Sequence, residues 1–310
     1  MKHFTLIKYI CYLALVPFLL TQCRPTEDEK KKEKHYIVAT TGMIGDVVKN
    51  IVQDRAEVVF LMGPGVDPHL YKATKSDLDK VRRADIVFFN GLHLEAKMAD
   101  VLTKLAEKKP VYAIEASIAK DKLRMMDNDA NSIDPHVWLD VEIWIGATQY
   151  IGEKLAQQDS TNADFYRKNT KIYIEKLQQL HQKIKTEIST IPKERRILIT
   201  AHDALGYFGK AYDIEVKGLQ GISTATEFGL KDITELVDFI VKKKIKAVFV
   251  ETFISQKSLE AVVNGCKEKG HTVVIGGTLF TDALGSKGTP QDSYIGMLES
   301  NLKIITSALK

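Results

Sequence analysis

Three cysteines in 310 residues are too few for a disulfide framework. Cys11 falls in an N-terminal apolar stretch and Cys23 directly after it. That leaves Cys266, inside a helical pattern, as the one thiol of the folded part, which excludes both a bridge there and a cysteine-rich metal site; it reads as a small buried core residue. An excess of charge of one sign is missing too. Lys and Arg number 44 against 40 Asp and Glu, and setting aside Lys2 and Lys8 leaves 42 against 40. That balance argues against a nucleic-acid partner, which needs a concentrated basic face. The apolar stretch at residues 9–20 is too short for a comfortable membrane span. With 45% apolar and 27% charged residues the composition is that of an ordinary soluble protein, long enough for one large or two medium domains.

The N-terminus has the parts of a targeting segment. Lys2 and Lys8 make a positive start, residues 9–20 an apolar core, and Leu20-Thr21-Gln22-Cys23 follows. A Cys after a signal core with Leu three residues before it resembles a bacterial lipobox. Gln22 departs from the small residue that pattern prefers, so plain secretion and an uncleaved anchor are the alternatives. Residues 1–22 are therefore expected to be a lipoprotein-type signal peptide and Cys23 the lipidated residue. Residues 24–34 carry Glu, Asp, Lys and Arg with no apolar residue except Pro25, which makes 23–34 a solvated tether. The mature protein is expected outside the cytoplasm, in the periplasm or at the cell surface, anchored by lipid.

The longest periodic pattern lies at 160–191. Tyr173, Leu177, Leu180, Ile184, Ile188 and Ile191 recur at steps of three and four, and Lys, Glu and Gln fill most of the rest. Thr161 and Asp164 fit a capping box at the start, and Pro192 ends the helix. Roughly 30 residues at about 1.5 Å each span about 45 Å, more than a small lobe is wide. A helix of that length with one narrow apolar stripe is expected to lie along two domains and join them.

On both sides strands and helices alternate. Four β/α units run from Tyr36 to Ile114, with the unbroken apolar run 84–90 reading as a strand covered on both faces. A helix is expected at 93–108 and a polar loop at 117–133. After the long helix, strands are expected at 196–200, 214–219, 247–251 and 272–275, with Ala201-His202-Asp203 opening a helix and a Gly-rich loop at 276–290. The expected fold class is α/β: two lobes, each with a mostly parallel four-stranded sheet flanked by helices, joined by one long connecting helix. The expected boundaries are 35–158, 159–191 and 192–310.

Of eight histidines, His3, His35, His181 and His271 read as solvated or incidental. His69, His136 and His202 each follow a strand or open a helix, and Asp282 sits in the loop after the last strand, where α/β sheets bind ligands. Imidazole nitrogen suits Zn, Fe, Cu and Ni, and a carboxylate extends the choice towards Mn. Asp67-Pro68-His69 and Asp134-Pro135-His136 repeat one tripeptide. Proline presets the backbone, and each Asp is placed to accept the second ring N–H of its His. A single such tripeptide is an ordinary turn; two copies and a third loop His point to a metal site.

Five segments carry a family resemblance: Val66 to Tyr71, Asp134 to Asp140, Ala201 to Phe208, Gly218 to Thr224 and Gly276 to Gly285. Together they resemble the substrate-binding proteins of zinc and manganese ABC importers, nearest the TroA-like and ZnuA-like members, over essentially the whole chain after the tether. The resemblance implies two α/β lobes on one long helix with a divalent metal between them, and ligands at His69, His136, His202 and Asp282. His93, in Asn90 to Glu95, is not a family ligand and reads as structural. The implied function is capture of a divalent transition metal and delivery to a membrane permease, by a monomer that is not an enzyme. Zinc-specific relatives often carry a His-rich loop that 120–133 lacks, while manganese-specific relatives typically have Glu where this chain has His202. Three His and one Asp favour Zn2+, with Mn2+ or Fe2+ behind it. The rivals are an adhesin on the same fold and a metal-dependent hydrolase, for which Glu227 and Glu251 are the spare carboxylates; each reads more simply as a cap or salt bridge.

Overall fold

The computed structural model describes residues 34–126, 129–225 and 227–310. The expected signal peptide, Cys23 and nearly all of the tether lie outside the described residues. Ten strands follow in chain order: β1 (His35–Ala39), β2 (Ala56–Phe60), β3 (Ile86–Phe89), β4 (Val111–Ala113), β5 (Met125–Met126), β6 (Asp129–Ile133), β7 (Ile197–His202), β8 (Glu215–Gln220), β9 (Ala247–Glu251) and β10 (Val274–Leu279). The first four form a parallel sheet in the order β2-β1-β3-β4, and the last four a second one in the order β10-β9-β7-β8. Within each set of four, the order by first appearance is the same, 2-1-3-4. The expected α/β class holds: two parallel four-stranded sheets with helices on both faces.

Strand residues alternate between two cores, as the period of two requires. Along β3, Ile86 and Phe88 enter one apolar cluster, Val87 and Phe89 another. Along β9, Ala247 and Phe249 face the first cluster while Val248 and Val250 face a third. The first cluster is common to both sheets. It runs from Ile37 and Ile44 through Trp144, Leu177 and Ile184 to Leu198, Phe249, Tyr294 and Leu302. The outer face of each sheet has its own smaller core.

The long helix, Ala163–Ser189, supplies the spine of the shared core. Its 27 residues span about 40 Å, and Tyr173, Leu177, Leu180, Ile184 and Ile188 are all buried, as is Ile191 just beyond it. It is pinned to both sides. Asn169 donates to Ile51 O at 2.8 Å and Tyr173 Oη to Asp46 Oδ2 at 2.7 Å; further along, Lys183 pairs with Glu299 at 2.7 Å. The helix begins one residue later than the expected capping box at Thr161 and Asp164 places it. The helix starts at Ala163 with Asn162 as N-cap, because buried Asp159 organises the turn ahead of it, accepting from the Asn162 side chain at 2.6 Å and from Tyr166 Oη at 2.9 Å.

Further expectations are corrected. The helix expected at 93–108 is confined to Ala99–Ala106 behind a short 3-10 turn. Residues 90–95 wrap instead around the buried Glu95 carboxylate, which accepts Asn90 N at 2.6 Å, Gly91 N at 3.1 Å and Thr40 Oγ1 at 2.7 Å. The polar loop at 117–133 contains the antiparallel pair β5 and β6. Strand β7 continues through His202 rather than yielding to a helix at Ala201, because pairing with β8 extends to His202 and Gln220. The final strand runs through Gly276 and Gly277, with a register shift there, because the helix Tyr294–Leu309 packs directly on it; a Cβ on Gly277, at φ +150°, would lie 2.6 Å from Ile304. His35 opens β1 instead of lying in the tether, and His181 is buried against Tyr212 and so is not solvated. Among the described residues no helix is long and apolar enough to cross a membrane.

The spine packs closest where Gly152 of helix Val141–Gln158 meets Thr170; a Cβ on Gly152 would lie 2.1 Å from Thr170 Oγ1. Gly to Ala inside a helix ordinarily gains about 1 kcal/mol, whereas forcing volume into a packed contact costs about 1–3 kcal/mol. Thr170 is itself buried and bonded to Tyr166 O, so it has no room to yield. Gly152→Ala is therefore expected to destabilise by about 1–2 kcal/mol in urea unfolding, and adding Thr170→Ala to recover much of the loss.

Candidate metal centre

His69 hangs in the loop after β2, between Gly63-Pro64-Gly65 and the helix Lys75–Arg83, whose capping box at Thr74 and Asp77 fixes the loop's far end. His136 follows the β5–β6 pair. His202 is the last residue of β7, and Asp282 lies three residues past β10. All four are buried. The structure brings them together, two from each side of the long helix, with one ligand-type atom per residue and all such atoms within 4.8 Å of one another.

Four of the separations fall between 3.2 and 3.5 Å. His69 Nε2 lies 3.2 Å from His136 Nε2 and 3.3 Å from Asp282 Oδ2. His136 Nε2 lies 3.4 Å from Asp282 Oδ1, and His202 Nε2 lies 3.5 Å from Asp282 Oδ2. A tetrahedron with bonds of about 2.0–2.1 Å has edges of about 3.3–3.4 Å, so these separations match donors around one small cation. His202 Nε2 and both Asp282 oxygens are buried without a hydrogen-bond partner among the described residues, a costly arrangement unless a cation completes it.

Outer carboxylates orient the three histidines. Asp134 Oδ1 meets His136 Nδ1 at 2.7 Å and accepts its backbone N–H at 3.0 Å, as the tripeptide suggested. Asp67 does not follow suit. Its Oδ1 accepts the His69 backbone N–H at 2.9 Å, but its Oδ2 accepts Thr224 Oγ1 at 2.6 Å instead of meeting the His69 ring. The carboxylate that serves His202 is Glu251, 2.5 Å from Nδ1, which also accepts the His202 backbone N–H at 2.8 Å and Thr281 Oγ1 at 2.6 Å. Glu251 is thus a strand-end carboxylate in a salt bridge, as its simpler reading had it; its partner could not be named from the sequence, because 49 residues separate it from His202 and no local spacing links them. Such carboxylates fix the tautomer with Nε2 free to donate. Trp138, in the segment after His136, donates from Nε1 to Thr281 O at 2.7 Å, tying the His136 loop to the Asp282 loop. Glu227 is exposed, His93 is exposed, and His271 bonds Ile245 O at 2.6 Å; none of them takes part.

Electrostatics sharpen the picture. Burial by itself lowers the pKa of the His136 imidazolium, but the Asp282 charge and the Asp134 bond outweigh it and push the value up to about 9. His202 is likewise desolvated, and Glu251 and Asp282 raise it well above the usual range. Burial works to raise Asp282, yet the two imidazoles hold it well below the ordinary carboxylate value. At neutral pH these imidazoles are thus cationic unless a metal takes the place of their protons. The folded-state pKa of His136 is raised, so its pairing contributes stability fully below about pH 6.5 and loses it as pH rises towards about 9. In chelator-treated protein an NMR titration is expected to place the His136 ring near 9, with denaturant stability declining over that window; a ring titrating near 6.5 contradicts the pairing.

Two α/β halves enclosing one buried set of cation donors, with each of the three histidines braced by a carboxylate, define a binding protein for a single small metal ion. The comparisons agree. A family profile described as "Zinc-uptake complex component A periplasmic" matches residues 37–308. The manganese-binding lipoprotein MntA of Bacillus subtilis is 48% identical over 94% of this chain and 96% of its own length, and the zinc-binding protein TroA of Treponema pallidum 41% over 96% and 97%. The solved structure of the Treponema pallidum periplasmic zinc-binding protein superimposes with a TM-score of 0.86, covering 89% of this chain and 99% of that one. The chain belongs to this family, the substrate-binding components of metal ABC importers.

Proposed function

We propose that this protein captures a divalent transition metal outside the cytoplasm and hands it to the permease of an ABC importer. In this reading it acts as a monomer and catalyses nothing. His69, His136, His202 and Asp282 are the four ligands, and the halves 35–158 and 192–310 close on the ion from either side of the connecting segment 159–191. The observation that carries the reading is the set of four donor atoms from both sheets, buried at ligand spacing with oxygens and a nitrogen left unbonded. A hydrolytic metal site needs an open position and a free base near it. Glu251 is committed to His202 and Thr281, which favours storage over turnover.

Three imidazoles and one carboxylate make a borderline donor set. It suits zinc best and accepts manganese or iron(II) less tightly. The relatives include one named for manganese and one for zinc, so the ordering is tested directly. Zinc in thousandfold excess over its dissociation constant is expected to stabilise the fold by about 4 kcal/mol. Because binding displaces protons from His136 and His202, the shift should grow as pH rises from 6 towards 9. Ala at any one of the four positions should cut affinity and thermal shift together, while Ala at His93 or His271 leaves both unchanged. His202→Glu should move preference towards manganese, read by competition titration. Parent-like binding by His202→Ala or Asp282→Ala removes the four-ligand site.

Cys23 is the proposed lipid attachment point, from its place after the apolar core. Cys23→Ser is expected to leave an uncleaved or soluble protein lacking the diacylglyceryl mass in intact-mass analysis. Unchanged membrane attachment with cleavage elsewhere counts against it.

A further inference from the structure

The two Asp-Pro-His copies are built alike and used differently. In both, the Asp accepts the backbone N–H of the His two residues on, at 2.9 Å for Asp67 and 3.0 Å for Asp134. Asp134 turns that same oxygen, Oδ1, on the His136 ring, while its Oδ2 lies 3.7 Å from Arg124 Nε. Asp67 turns its Oδ2 across the cleft, onto the hydroxyl of Thr224, which belongs to the loop after β8. Its partner is 157 residues away and hangs from the other sheet.

Three observations place this bond at the mouth of the site. His69 is the most exposed of the four donors, at 8% against 0% for His136 and His202 and 3% for Asp282. Leu70 beside it is 54% exposed, so the surface begins there. The near end of the loop that carries His69 is open: a Cβ added at Gly63 or Gly65 meets nothing within 4 Å, and Gly65 sits at φ +71°. On the other side Thr224 is braced. Gln220 Nε2 donates to Thr224 O at 2.7 Å, and Gln220 O accepts the N–H of Asp203, the residue after His202. The path His69–Asp67–Thr224–Gln220–Asp203 thus joins the backbones of one donor from each half.

We propose that Asp67 and Thr224 form a latch that sets how fast the metal leaves. The proposal rests on the metal-binding reading above. Neither residue supplies a donor atom, so the latch acts through the position of His69. For the ion to leave, the His69 loop has to swing away from the opposite half, and that motion breaks the Asp67–Thr224 bond. A hydrogen bond to a charged group, half-buried as here, adds to the barrier for opening without changing which atoms hold the ion.

The test uses the full-length protein loaded with zinc and chased with excess chelator, with release followed by stopped-flow. Thr224→Val keeps the shape and removes the donor; release is expected to quicken about tenfold, with the association rate changed less than threefold. Thr224→Ser, which keeps the hydroxyl, should restore the parent rate, which a loss of packing would not do. Asp67→Asn should quicken release by itself but add little on top of Thr224→Val, because the bond is already gone. If the parent shows no zinc-dependent melting shift, the metal-binding reading fails first. If the parent binds and Thr224→Val releases at the parent rate, or the two changes multiply, the latch is wrong.

Discussion

A carboxylate taken out of water needs a compensating charge, and Asp282 is buried where three imidazoles converge on it. Much of the surrounding structure serves that arrangement. The imidazoles in turn need acceptors for their far nitrogens or backbone, which Asp134, Glu251 and Asp67 provide. Those carboxylates need partners of their own, and Thr281, Thr224 and the backbone amides of His69, His136 and His202 fill that role. The centre is thus a nested set of charges in which each layer fixes the geometry of the one inside it. A metal ion is the natural completion, because it replaces protons on nitrogens already aimed at one point.

Holding two pairs of donors at ångström tolerance across two sheets requires that the sheets not drift. The shared apolar core meets that need. Both sheets press one face onto the same cluster along the Ala163–Ser189 helix, and Trp138, Thr281 and Tyr294 add hydrogen bonds between the His136 segment, the Asp282 loop and the last helix. On the proposed reading, the bond between Asp67 and Thr224 at the rim adds a barrier to release on top of the hold exerted by the four side chains.

Several features were legible in the chain because local patterns carry them. The stripe from Tyr173 to Ile191 marked the spine, and the unbroken apolar run at 84–90 marked a strand buried on both faces, which β3 is. The histidines were legible because polar, ligand-capable residues at strand ends are conspicuous against apolar strands. What failed did so for tertiary reasons. Thr161 and Asp164 have the spacing of a cap, but Asp159 captures Asn162 and Tyr166 and moves the start. Gly276 and Gly277 read as a loop because glycine is poor in strands, yet contact with Ile304 and Ala308 demands it there. Residues 93–95 fit a helical pattern, but the Glu95 carboxylate is turned inward onto the Asn90 and Gly91 amides, and the chain folds into a turn with His93 and Ala96 at positive φ, which no α-helix allows.

The amino-acid sequence by itself determined the two-sheet α/β class and the long helix between its halves, and it singled out His69, His136, His202 and Asp282, the four residues that the structure brings together, since each of these stands out by residue type and place in the chain. Only the tertiary structure decided which carboxylate serves which histidine. Glu251 reaches His202 and Asp67 reaches Thr224 across 49 and 157 residues, and nothing in local spacing encodes a contact that exists only once two sheets have packed on one core.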